Sequence, residues 1–209
     1  MHFYLTRLGI RPEVQDFFSP FFSSDQAGNL VFSYRDSMEH FGFGFHRVPV
    51  SNHLWIAGNN NFFLIRHVVI CASAMDAIAW LNLNYYTFLD LDNLLFLSLG
   101  ASLKAPHIQW ISENLPGKTF TLIFSKDILG RLADLKIAAG IRRMPVAVYL
   151  SEKKVLVTFR FRDYTFQPEE FSLNAFEKAA KYRFHISTGK PKAFDCYFDQ
   201  LKANLFPTH

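Results

Sequence analysis

Three short segments of this 209-residue chain each follow an apolar run and carry groups able to do chemistry. They read Ala72-Ser73-Ala74-Met75-Asp76-Ala77, Leu97-Ser98-Leu99-Gly100-Ala101 and Ser125-Lys126-Asp127-Ile128-Leu129-Gly130-Arg131. Carboxylates such as Asp76 and Asp127 are the oxygen ligands that a hard cation like Mg²⁺ takes. Lys126 and Arg131, close to a helix start, are suited to an anionic phosphate. Other chemistries lack their residues. No His pair has metalloprotease spacing, no G-x-S-x-G surrounds a serine, and no glycine-rich phosphate loop occurs. His67 opens an apolar run and reads as a structural residue. Asp90 and Asp92 precede the second strand, at the edge opposite such a site.

The elements needed to position these segments are visible in the pattern. Leu64 to Cys71, Leu94 to Leu99 and Thr119 to Phe124 are apolar runs of the kind buried on both faces, and Val146 to Leu150 reads as a fourth. Between them, Ala74–Leu83, His107–Asn114 and Leu129–Ala139 carry helical spacing, with Gly140 as the last helix's stop. This alternation predicts an α/β fold, a parallel sheet flanked by helices, whose site lies beyond the carboxyl ends of the strands. Val155 to Arg162 alternates and is expected to add an antiparallel edge beside Val146–Leu150. Before this unit, residues 1–61 read as a small α+β unit. It has a helix from Pro12 to about Phe18 and a hairpin of Asn29–Tyr34 with Phe41–Phe45, and ends at the polar Ala57–Asn61. In Phe41-Gly42-Phe43-Gly44-Phe45 the alternation predicts one face of rings and one nearly bare. Residues 62–150 form the α/β domain. Residues 151–209 form an extension of a strand, a helix from Pro168 to about Lys181, and a closing amphipathic segment over Phe194–Leu205.

The order and spacing of the three segments resemble the Toprim domain of primases and topoisomerases, in the version attached to primase-like proteins of plasmids and mobile elements. The N-terminal Tyr4-Leu5-Thr6-Arg7-Leu8-Gly9-Ile10 resembles the small domain that precedes Toprim there, and Phe194-Asp195-Cys196-Tyr197-Phe198-Asp199-Gln200-Leu201 resembles the closing segment. The resemblance implies a Rossmann-like sheet and a Mg²⁺ site made by a Glu after the first strand and an Asp-x-Asp after the third. Here those positions are Ala72, Ser125 and Asp127, so one of three acids is present and the family's phosphoryl-transfer centre is degenerate. Asp76, one turn after Ala72, is expected to cap or brace the motif. With the acids replaced by Ala72, Ser125 and Lys126 the strand-end crevice is less negative. Asp76, Lys126, Asp127, Gly130 and Arg131 then become candidates to bind a phosphate without metal.

Charge points the same way. Residues 1–100 hold 5 Lys and Arg against 8 Asp and Glu, and residues 101–209 hold 17 against 10. Arg142, Arg143, Lys153, Lys154, Arg160 and Arg162, interleaved with Phe and Tyr, are candidate nucleic-acid contacts; the alternative is a solvated basic face. Twenty-four Phe demand burial or a partner. Two cysteines, Cys71 and Cys196, lie too far apart in sequence to mark a disulfide framework or a thiolate metal site. Neither a membrane helix nor a signal peptide is legible, and a cytoplasmic location is expected. The expected function is a catalytically inactive Toprim-like protein that binds DNA or RNA or acts as an assembly component, without a required cofactor. Two alternatives stand beside it: a Mg²⁺-dependent primase-like or nuclease enzyme with relocated acids, and a module that docks a protein partner or a second copy of itself.

Overall fold

Rings spaced along short strands need a covered sheet face, and the first part of the chain builds one. The computed structural model describes residues 1–205 apart from Leu89 and Glu152. Helices α1 (Phe3–Arg7) and α2 (Pro12–Phe18) precede β1 (Ser23–Ser24), β2 (Leu30–Ser33), β3 (Met38–Gly42) and β4 (Phe45–Arg47), an antiparallel sheet in that order. Pro12 opens α2, where its missing N–H leaves no gap. The expected hairpin forms with a tighter connection. Ser33 pairs with Met38, and a second turn at Phe43-Gly44 (Gly44 φ 83°) starts a second hairpin. That turn breaks the alternation, so Phe41 is buried while Phe43 and Phe45 are exposed, and the three rings do not share a face.

The central sheet begins with β5 (Val50–Gly58), followed by β6 (His67–Cys71), α3 (Ala74–Asn84), β7 (Leu94–Gly100), α4 (Ala105–Asn114), β8 (Thr119–Leu122) and α5 (Ile128–Ile141). β6 lies in the middle, parallel to β7 and β8, with every residue from Val68 to Cys71 buried, as their unbroken apolar character requires. The antiparallel edge is β5, paired with β7, so the polar Asn59–Asn61 follows a strand of this sheet. One face packs on the N-terminal elements through Phe18, Phe32, Trp55, Trp80 and Phe96. The other packs on α4, α5 and the C-terminal unit through Ile70, Leu97, Phe120 and Phe124. Gly140 does not stop α5. It sits within the helix against Ile108 of α4, where a methyl group would collide, and the chain turns only after Arg142.

The strand expected as the fourth of the parallel sheet is elsewhere. β9 (Val146–Leu150), β10 (Val155–Phe159) and β11 (Arg162–Phe166) form a separate antiparallel sheet of order β11-β10-β9. The physical reason is one-sided cover: Ala147 and Tyr149 face solvent, so this apolar run is not buried on both faces. Helix α6 (Leu173–Ala180) packs on that sheet. It starts at Ser172, whose Oγ accepts from Ala175 N–H at 3.1 Å, while Pro168–Glu170 is a turn. β12 (Ser187–Thr188) then runs parallel to β8, completing the order β12-β8-β6-β7-β5, and α7 (Tyr197–Leu205) packs on α3. The fold is mixed α/β, a mixed sheet with two antiparallel sheets attached. Among the described residues no helix is long and apolar enough to cross a membrane.

Candidate functional site

Beyond the carboxyl ends of β6, β7 and β8 lies a cavity of about 460 Å³ lined by Ala72, Gly100, Ser125, Asp127, Gly130 and Lys136, among others. Each group is there for a local reason. Ser73 caps α3 by accepting from Asp76 N–H at 3.0 Å, which leaves Ala72 at the end of β6 facing the cavity. Asp127 caps α5: its Oδ1 accepts from Gly130 N–H at 2.7 Å and from the Ser125 hydroxyl at 2.9 Å. Gly130 has no room for a Cβ, which would strike the Ser125 carbonyl.

The other expected ligands turn away. Asp76 is not part of the cavity wall; it accepts from the Ser73 hydroxyl at 2.7 Å and from Phe198 N–H at 3.3 Å, and burial raises its pKa. Lys126 Nζ donates to Lys192 O at 2.6 Å. The Arg131 guanidinium donates to the carbonyls of Lys126, Pro168, Glu169 and Phe171 at 2.7, 3.3, 2.7 and 3.2 Å. Both cations therefore tie loops together. A Mg²⁺ ion does not fit these donors: the cavity offers one carboxylate, and one of its oxygens already accepts two hydrogen bonds. Among the described residues no group of three or more His, Cys, Asp or Glu is placed to hold a metal.

Two buried acidic side chains, Asp134 and Glu39, have no signature in the sequence. Lys190 Nζ lies 2.7 Å from Asp134 Oδ2 and also donates to Phe124 O and Ser125 O at 3.0 and 3.1 Å. It braces the end of β8 from behind. Burial pushes the Asp134 carboxyl up to about 7 against the pull of that ammonium. On the opposite face Glu39 of β3 is fully buried at the start of α3. It accepts from Ala74 N–H at 2.9 Å, Met75 N–H at 3.3 Å and the Tyr34 hydroxyl at 2.7 Å, with His46 Nε2 at 2.8 Å. Tyr34 is bonded in turn to Ser98 of β7 at 2.6 Å, and burial raises its pKa far above the usual phenol range. The sequence pattern places Glu39 in a polar turn; the pairing of β3 with β2 carries it inward.

The basic residues of the C-terminal half divide by register. Val146 of β9 and Arg162 of β11 both pair with Phe159 of β10, so Arg142, Arg143, Arg160 and Arg162 come to one end of that sheet. The stretch after α6 joins them: the Tyr182 ring lies 5.4 Å from Phe159, and Arg142 donates to Phe184 O at 2.6 Å and His185 O at 3.1 Å. Lys181 and Arg183 flank Tyr182 and are exposed. Among the described residues none of these six cations is in an ion pair. Lys153 and Lys154 sit at the turn between β9 and β10, roughly 15 Å away along the strand. Four of the six expected nucleic-acid residues thus converge, with Lys181 and Arg183 added.

A second, aromatic groove of about 410 Å³ lies on the N-terminal unit between Tyr4, Phe41, Phe43, Phe45, His46 and Phe198, with Arg7 and Lys202 also on its wall. Comparison of the chain with family models, curated proteins and solved structures finds no match.

Proposed function

We propose that the protein is a nucleic-acid-binding component on a Toprim-like scaffold that lacks a working metal centre, akin to the replication and mobilisation proteins of mobile elements. The observation that carries this reading is the convergence of the exposed Arg143, Arg160, Arg162, Lys181 and Arg183 at one end of the β9–β11 sheet, with Arg142 bracing the adjoining stretch and no acidic partner among the described residues. Unpaired cations that share a face make phosphate contacts, and those contacts release counterions. The Toprim-like part is supported by the crevice, where Ala72, Gly100, Ser125 and Asp127 lie in the order the resemblance implies. With one acid among them, binding rather than phosphoryl transfer is the chemistry left.

The test is fluorescence anisotropy of the full chain with labelled DNA and RNA at two salt concentrations, with and without Mg²⁺, followed by a gel for cleavage. The expected result is salt-sensitive, Mg²⁺-independent binding without cleavage. The double variant Arg162→Glu/Arg183→Glu is expected to lower the slope of log affinity against log salt by about 2. Mg²⁺-dependent cleavage would instead support an enzyme with relocated acids. Absence of binding at low salt would remove the reading and favour a second one, a protein-docking module. That second reading draws on the aromatic groove, whose Phe43 ring is largely exposed.

A further inference from the structure

The connection between β10 and β11 holds two residues, Arg160 and Phe161, because Phe159 pairs with Arg162. A two-residue hairpin that follows the natural strand twist needs left-handed backbone at both central positions, which Asn and Gly supply with least conflict. Here the pair is Arg160 at φ 50° and Phe161 at φ 62°. A phenylalanine in that conformation crowds its own Cβ against the backbone. Burial offers no return for the strain, since Phe161 is fully exposed. Arg160 folds back, its guanidinium carbon 4.3 Å from the centre of the Tyr182 ring and 5.3 Å from that of Phe159. The Phe161 ring is therefore left projecting from the basic end.

The strain is not confined to this turn. Six non-glycine residues have left-handed backbone among the described residues, and five of them lie at this end: Arg143, Arg160, Phe161, Lys181 and His185. Arg143 and Lys181 each take the position after a helix that glycine usually fills. Met144 N–H reaches back to Ala139 O at 2.9 Å, and Tyr182 N–H to Glu177 O at 3.1 Å. Three cations, a phenylalanine and a histidine thus stand where smaller residues would be less strained. Concentrated strain of this kind marks a working surface.

We propose that Phe161 is a stacking finger for an unpaired nucleobase, so that the basic end prefers single-stranded nucleic acid to duplex. The proposal rests on the nucleic-acid reading above and adds a strand preference and a contact residue to it. Every base offers a π-face, and an exposed phenyl ring amid cations meets both features of a single strand, its bases and its phosphates. In a duplex the base faces are already stacked on one another, which leaves the ring no free π-face while the phosphates stay open to the cations.

The experiment measures anisotropy of the full chain with a labelled oligothymidine and with a duplex of equal length. It uses wild type, Phe161→Ala, Phe161→Trp and Phe161→Gly; the last suits the turn and guards against a folding artefact. Wild type is expected to bind the single strand more tightly. Phe161→Ala and Phe161→Gly weaken that binding on the order of ten-fold while duplex affinity and salt slope stay unchanged, and Phe161→Trp retains it. If Phe161→Ala and Phe161→Gly bind oligothymidine as tightly as wild type, the stacking finger is overturned and the nucleic-acid reading stands. If wild type has no salt-sensitive affinity for either strand form, both are overturned.

Discussion

The ammonium of Lys190 lies 2.7 Å from the carboxylate of Asp134, and the pair locks the end of β8 to the middle of α5. Burial lifts Asp134 from 3.8 to about 7, so the folded state holds a proton that the unfolded chain releases near 4. Its contribution to stability is full below the unfolded value and declines as pH rises through about 7. Lys190→Met takes away the charge that offsets burial and is expected to cost about 3 kcal/mol near pH 8, less near pH 5 where Asp134 is protonated. Urea unfolding at the two pH values measures it; an equal cost at both would argue against a raised carboxyl.

Glu39 takes part in four hydrogen bonds, and the two from backbone N–H groups at the start of α3 join the N-terminal sheet to that helix. Glu39→Leu is expected to destabilise by about 3 kcal/mol, since it leaves the Ala74 and Met75 N–H groups buried without an acceptor. Tyr34→Phe removes one bond of the set and should cost about 1 kcal/mol. Denaturant midpoints compare the two, and similar small losses would contradict the account.

Ala72, Ser125 and Asp127 line one cavity, so acids placed there should meet. The double variant Ala72→Glu/Ser125→Asp is expected to gain a melting temperature that rises with Mg²⁺, while the wild-type melting temperature does not respond. Calorimetric scans across a Mg²⁺ series report this directly, and a flat response in the variant would mean that the three positions do not converge on a cation.

Asp127 serves its helix. Asp127→Ala removes an N-cap and is expected to cost about 1 kcal/mol without changing affinity for DNA. A large loss of affinity with an intact fold would return Asp127 to the binding surface.

Much of the central sheet is legible in the sequence because continuous apolar runs such as Val68–Cys71 allow one arrangement, burial on both faces. Helix α3 is announced by the helical spacing of Ala74–Leu83, whereas its cap is Ser73 rather than Asp76. β5 is harder, since the polar Ser51-Asn52-His53 interrupts its apolar pattern, in the irregular stretch between the pairings of Val50 and Trp55 with β7. β9 misleads because Ala147 and Tyr149 look apolar yet tolerate solvent. Of the site, the crevice positions follow from strand ends, whereas the fate of each cation does not. Arg131 and Arg142 bind carbonyls distant in the chain, and nothing in their neighbours distinguishes them from exposed Arg162. The meeting of Arg143 with Arg160 depends on the register of Val146 with Phe159, a long-range fact.

The short strand β12 has a consequence for the order in which the molecule is made. Ser187 pairs with Thr121 of β8, and Gly189 N–H with Leu122 O at 2.8 Å, so until that late segment emerges from the ribosome the nascent sheet presents an open edge. The face of α3 that α7 covers waits longer still. A stalled or truncated chain ending after α6 would display both a bare strand edge and an apolar helix face, the two surfaces through which unfinished proteins find one another.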